Sequence, residues 1–390
     1  MTDVFILDWL RTPRGKASPR GGLHDLTALD LVTGLQHELV ERTGLDPDQL
    51  DDVVLGVASQ IGEQGADLAR TANLLVGWQA PGVTLNRFCT SGIDAVATVA
   101  ARIAAGDYSL GLAGGVESVS RVPIFSDQGA LWRDPRVVQT VGSVHMGIAA
   151  DLNATRDGFA RAQLDAYALE THRKAHAAWE SGSFDRSVVE TGGLDRDELI
   201  RPGLTAQALA ELPPAFTDLP GDDAIVLRRF EALDHLHTVG TSPQMADAAA
   251  ILLLGTRDQA QRLGLRPRAR IVASVTATCD PVIMLTAGQT GIEQAIVRAG
   301  FVPADIDVFE FAEAFAALCL RFRRDLDAGP DRMNPNGGTI AMGHAFGATG
   351  AIMVGGCLDE LERREGRYGV AGVSGAAGLG VGLVIERCVD

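Results

Sequence analysis

The sequence predicts an α/β fold made of two similar halves with a different kind of region between them. Three observations carry this. Short apolar runs alternate with helical patterns, as in a mixed or parallel sheet covered on both faces. A strand–turn–helix unit around Cys89 is echoed by a second unit around His344. The chain has 45 glycines in 390 residues and is 46% hydrophobic, which suits tightly packed α/β layers better than disorder.

Taken in order, residues 4–7 read as a first buried strand and 26–42 as an amphipathic helix ending before Gly44. Residues 52–58 form the next strand, and 66–76 a helix. The run 81–85 is strand-like and leads to Cys89, small helix-forming residues follow to about Ala105, and 110–115 is a buried strand. The later chain repeats the order: strand 270–275, helix 290–299, strand 306–311, helix 312–327, a glycine-rich turn at His344 feeding a helix to about Arg364, then strands 369–373 and 382–385. The region from about 120 to 239 is different, with turn-rich segments and a polar helix over 159–181.

Composition narrows the function. A formal net charge of −16 argues against nucleic acid, whose binding depends on Lys and Arg neutralising phosphates. A few local arginines can still serve one pyrophosphate group. Lysine occurs only at Lys16 and Lys174, which reads as coding bias. Five scattered cysteines, Cys89, Cys279, Cys319, Cys357 and Cys388, form neither a disulfide framework nor a C-x-x-C metal pattern, so no metal is expected. No apolar run approaches a membrane span and the N-terminus lacks a signal pattern, so the expected compartment is the cytoplasm. His235-x-His237 reads as a loop pair, because no Cys or carboxylate cluster accompanies it in sequence. Gly378-Leu379-Gly380-Val381-Gly382 resembles half a dinucleotide fingerprint but lies too near the end of the chain for the helix that must follow.

Cys89 falls at a helix start, where unpaired N–H groups and the positive dipole end favour a thiolate. His344 lies among closely spaced glycines at the mouth of a second helix, a position suited to a base that activates a thiol. Taken singly, the one reads equally as an inert buried cysteine and the other as a structural histidine. Their occurrence at two matching junctions points to nucleophilic catalysis.

Several motifs then occur in a familiar order: Arg11-Thr12-Pro13-Arg14-Gly15-Lys16, Asn86-x-x-Cys89-x-Ser91-Gly92, Gly114-Gly115-Val116-Glu117-Ser118 and Gly343-His344-x-x-Gly347-x-x-Gly350. Over nearly its whole length the chain resembles the thiolase superfamily of acyl-CoA acyltransferases. The resemblance implies two βαβαβαββ halves packed as a five-layer α-β-α-β-α sandwich with an inserted loop domain. The halves would be residues 1–119 with 240–267, and 268–390, and the loop domain that covers coenzyme A would be 120–239. The resemblance also implies an acyl-CoA substrate with no further cofactor, and a homodimer or dimer of dimers.

By the same resemblance Cys89 takes the acyl group as a thioester and His344 is its base and part of an oxyanion hole. Arg201 is the candidate contact to the nucleotide end of CoA, a solvated surface arginine being the alternative. Ser242 lies beside Pro243, which falls near a family serine that touches CoA, and Phe315 is a further candidate CoA contact. Phe315 with Leu318, Leu320 and Phe322 also reads as a core-facing helical stripe. Residues 217–237 look like extra chain at the tunnel mouth.

Two positions depart from the family pattern. Ser374 stands where a second cysteine moves a proton on carbon, and Ala312 where an asparagine anchors a water in the enolate oxyanion hole. A thiol titrates near ~8.5, whereas a serine hydroxyl has no accessible anion without help. Losing an acid/base costs ~10²–10⁴ in rate and losing an oxyanion donor ~10²–10³. Both departures fall on the carbon–carbon step and neither on acyl loading. The readings are therefore a thiolase-like acyltransferase, with Ser374 helped by Glu313, water or substrate; acyl transfer to an oxygen or nitrogen nucleophile or to water; or a non-catalytic acyl-CoA-binding subunit.

Overall fold

The computed structural model describes residues 2–389. Its first half comprises β1 (Phe5–Arg11), β2 (Gly15–Lys16), α1 (Ala28–Thr43), β3 (Asp52–Gly56), β4 (Gly82–Leu85), α2 (Ser91–Ala105), β5 (Leu110–Glu117) and, after the intervening region, β6 (Ala246–Gly255). That region contains α3 (Met146–Asp157) and α4 (Arg161–Glu180), with short helices at Ala206–Ala210 and Pro220–Leu227. The second half comprises β7 (Ala269–Thr278), α5 (Ala287–Arg298), β8 (Val308–Phe311), α6 (Ala316–Leu326), α7 (Phe346–Arg363), β9 (Tyr368–Gly375) and β10 (Leu379–Arg387).

The strands form one ten-stranded mixed sheet in the order β4-β3-β5-β6-β1-β7-β10-β9-β8, with β2 on β6. Its pairing pattern shows the duplication. In the first half β3 and β5 are parallel, while β5–β6 and β6–β1 are antiparallel. In the second, β8 and β9 are parallel, while β9–β10 and β10–β7 are antiparallel. The two arrays meet only where Phe5 lies opposite Arg270 and Ile6 opposite Ala269. On the far edge, β4 is matched by a single parallel bridge between Phe309 and Met333.

Local chemistry sets the helix ends. Thr27 and Asp30 form a capping box at the start of α1, and Gly44 closes it at φ 66°, where a side chain would be strained. The expected helix from 312 starts instead at Ala316, because Phe315 is extended (φ −166°, ψ 156°). Phe315 therefore precedes the helical stripe to which its spacing had assigned it.

Helices α2 and α7 form the middle layer. Ile93, Val96, Val99 and Ile103 of α2, and Ala348, Ala351, Val354 and Leu358 of α7, are fully buried at helical spacing. Burial of each larger side chain contributes about 1.5–3 kcal/mol. Residues 88–105 are long and apolar enough to cross a membrane by length and composition alone, yet they are largely the buried centre of this sandwich.

The first turns of α2 and α7 touch backbone to backbone. A Cβ on Gly92 would stand 2.6 Å from the Gly347 carbonyl oxygen and from the Ala351 nitrogen; one on Gly350 would stand 2.6 Å from the Ile93 nitrogen. On β5, a Cβ on Gly115 would stand 2.0 Å from the Gly347 oxygen. Neither neighbour is a flexible side-chain end, so nothing can yield cheaply. Gly115→Val is expected to destabilise the protein by about 3 kcal/mol or to prevent folding, as read by chemical denaturation.

Candidate active site

The turn carrying Cys89 is tied by its own side chains. Asn86 accepts the Phe88 N–H (2.8 Å) and donates to the Ala58 carbonyl (2.9 Å). Ser91 accepts the Arg87 N–H (2.8 Å) and donates to the Phe88 carbonyl (2.6 Å). Phe88 is held at φ 50°. The Asn86, Ser91 and Gly92 positions of the motif thus shape the turn and its packing, and Cys89 is presented two residues before α2.

Cys89 lines a cavity of about 40 Å³ walled by Ala58, Phe88, Phe125, Trp132 and Phe346, with Ser59 and Asp127 as its polar members. Trp132 packs edge-on against Phe125 (4.8 Å) and Phe88 (5.9 Å), so the intervening region roofs the cavity. Burial pushes the Cys89 thiol up to about 12, with the nearby Glu117 acting in the same direction and a backbone N–H opposing. Burial thus outweighs the helix dipole that the sequence pointed to.

His344 is half-buried two residues before α7. Its backbone bonds Gln244 and Ala246 beside β6 (2.7 and 3.0 Å), which carries the turn across to the first half. Thr349 Oγ1 accepts the Ala345 N–H (3.0 Å) and lies 2.9 Å from His344 Nδ1, fixing the ring and leaving Nε2 with no hydrogen bond among the described residues. The ring packs on Phe346, a wall of the Cys89 cavity, at 4.6 Å. Burial lowers the imidazole to about 4, and Arg14 adds to the shift. No hydrogen bond joins the Cys89 and His344 side chains among the described residues. Their turns share one cavity wall, Phe346.

Three carboxylates, whose roles spacing alone does not reveal, hold these turns. Glu117 at the end of β5 accepts N–H groups from Ala58, Ser59 and Gly347 (2.9, 3.1 and 3.0 Å) and the Gln64 amide (2.8 Å), so it binds the start of α7 to the first half. Burial raises its pKa against those four bonds. Glu313 accepts from Tyr167 (2.7 Å), Thr171 (2.9 Å), Asn334 (3.2 Å) and the Ile340 N–H (3.0 Å). It is fully occupied in anchoring the glycine-rich loop, and the expectation that it assists Ser374 is corrected accordingly. Asp197 receives Arg11 (2.7 and 3.0 Å) and Arg14 (3.0 Å), so the basic motif near the start of the chain is a buried clamp on the intervening region.

The remaining candidates are placed as follows. The Ser374 hydroxyl donates to the Leu285 carbonyl (2.6 Å) and accepts the Gly288 N–H (2.9 Å) at the start of α5. A base role would require those bonds to open. Its neighbour Gly375 does lie against the cysteine turn, and Ala376 lines the Cys89 cavity. Arg201 is exposed on the intervening region. Ser242 is buried and donates to the Thr238 carbonyl (2.7 Å), so its hydroxyl is held within its own turn. Phe315 sits between Phe216 (5.9 Å) and His237 (5.4 Å). One carboxylate lies against the histidine pair in the fold: Asp151 of α3 meets His237 Nδ1 at 2.8 Å and His235 Nδ1 at 3.3 Å, and accepts the Leu236 and His237 N–H groups. Asp151 pins the extra segment to the domain.

With a raised thiol and a depressed imidazole, the resting pair is neutral, and the thiolate forms only as pH rises well above the ordinary thiol range. Ultraviolet thiolate absorbance, with Cys89→Ser as the blank, is expected to be absent at about pH 7 and to grow only in strong alkali.

Comparison with known proteins shows the family. Residues 4–226 match the thiolase N-terminal domain and residues 265–387 the thiolase C-terminal domain. The chain is 35% identical to the 3-ketoacyl-CoA thiolase of Aeromonas hydrophila, over 99% of this chain and 100% of that protein. It is 36% identical to that of Shigella sonnei, with the same coverage. The crystal structure of the Bacillus anthracis acetyl-CoA acetyltransferase superposes with a TM-score of 0.87 at 31% identity, over 100% of this chain and 99% of that one. The chain belongs to the thiolase family and is an acyltransferase of that kind.

Proposed function

We propose that the protein captures an acyl group from an acyl-CoA as a thioester on Cys89 and passes it on, in a Claisen-type condensation or in thiolytic cleavage of a β-ketoacyl-CoA. The observation that carries this is the Cys89 thiol in an apolar cavity whose wall, Phe346, also packs the His344 ring. His344 Nε2 takes the thiol proton as sulfur attacks the thioester carbonyl, and returns it to the departing CoA thiolate. A neutral imidazole is the form that can do so. The exposed guanidinium of Arg201 is our candidate for the nucleotide end of CoA.

A second reading, acyl transfer to an oxygen or nitrogen nucleophile or to water, draws support from one observation. Ser374, at the position of the family's second cysteine, has its hydroxyl bonded on both sides to backbone. Acyl loading does not need it.

The protein is expected to act as a homodimer. β4 is the last strand of the sheet, and Leu74, Leu75 and Val83 are exposed on and beside it. A second copy would cover that edge.

Intact mass after incubation with a panel of acyl-CoA donors tests the first claim. An acyl adduct absent in Cys89→Ala is expected, and no adduct with any donor would remove the proposal. His344→Ala should slow adduct formation by about 10²–10⁴. Ser374→Cys combined with Ala312→Asn should raise β-ketoacyl-CoA thiolysis by about 10² or more, measured by CoA-dependent loss of the β-ketoacyl substrate.

A further inference from the structure

Two carboxylates flank Ala312, and the fold treats them in opposite ways. Glu313 has four donors, as described above. Glu310, near the end of β8, has no hydrogen-bond partner among the described residues. The Ala312 N–H still bonds the Gly372 carbonyl (2.9 Å), so strand pairing continues past β8, and residues 310 and 312 fall on one face. Both line a second cavity of about 40 Å³, together with Arg14, Gly338, Thr339 and Met342.

Arg14 is 4% exposed, and its Nε is buried without a partner. A void of this size has room for water, which needs roughly 10–15 Å³, and its lining includes Arg14, with an unpartnered guanidinium N–H, and Glu310, whose carboxyl has no hydrogen-bond partner among the described residues. Burial, with Glu360 and Glu313 nearby, pushes Glu310 up to about 8, against Arg14 and Lys174. The shift favours the protonated form, whose O–H can donate.

We propose that Glu310 is a positioning residue for the carbon–carbon half-reaction: with Arg14 it holds water beside Ala312, and that water does the work of the asparagine amide for which Ala312 stands. The inference rests on the thiolase reading but adds a residue that reading does not use. It also divides the gain expected from Ser374→Cys with Ala312→Asn, assigning it to the cysteine.

Glu310→Leu, which keeps the bulk and removes the polar atoms, should lower the rate of thiolysis or condensation by about tenfold or more, with the rate of Cys89 acylation and KM for acyl-CoA unchanged. Glu310→Gln, which keeps a neutral donor and acceptor, should stay within about threefold of the parent. Adding Ala312→Asn to Glu310→Leu should restore the rate, and Ala312→Asn alone should change it by less than about threefold. Thermal unfolding of each variant separates loss of fold from loss of function. Should Glu310→Leu fail to fold, Ala312→Asn alone still decides, since a gain of about tenfold would show that no water stands in for the amide. An unchanged carbon–carbon rate in Glu310→Leu overturns the proposal. So does an equal loss in both half-reactions, or a parent protein with no carbon–carbon product. Failure of the parent to form any Cys89 adduct would instead remove the thiolase reading itself.

Discussion

Everything at this site depends on how closely two helix starts approach each other. Gly92, Gly347 and Gly350 let the first turns of α2 and α7 meet without side chains between them, and Gly115 lets β5 press against the same point. One turn carries Cys89, the proposed nucleophile, and the other His344, the proposed base. A single methyl group in that contact would push the turns apart, and a displacement of about 1 Å at a catalytic pair costs on the order of 10² in rate. The glycines are therefore a geometric requirement of the chemistry as much as of the packing.

Buried carboxylates lock that approach in place. Glu117 collects N–H groups from both halves, Glu313 ties the glycine-rich loop to α4, and Asp197 fastens the intervening region to the strand end beside β1 through Arg11 and Arg14. Each is buried and matched by several donors, the condition under which such groups are tolerated. Glu310 differs: it faces a cavity and has no donor among the described residues.

Much of the architecture was legible in the chain because the duplication repeats a visible pattern, an apolar run, a small-residue turn and a helix, at Cys89 and again at His344. The roles of Glu117, Asp151 and Asp197 were hidden, since each works through partners far away in sequence, and spacing carries no sign of them. Ser374 was visible as a departure, but the capture of its hydroxyl by Leu285 and Gly288 depends on how β9 packs against α5. The start of α6 was misplaced by periodicity because Phe315 supplies the right spacing with an extended backbone. The ionisation of Cys89 was read from the helix dipole alone, whereas burial beneath Phe88, Phe125 and Trp132 is the larger effect.

The central claim is that this pair of turns still performs acyl capture, whatever follows it on carbon. Rapid-mixing measurement of free CoA released from an excess of acyl-CoA tests it most directly. The account predicts a fast burst of CoA equal to the enzyme concentration, lost in Cys89→Ala, followed by a slower phase set by the acceptor step. Release of CoA without a burst, or a burst that survives in Cys89→Ala, would contradict it.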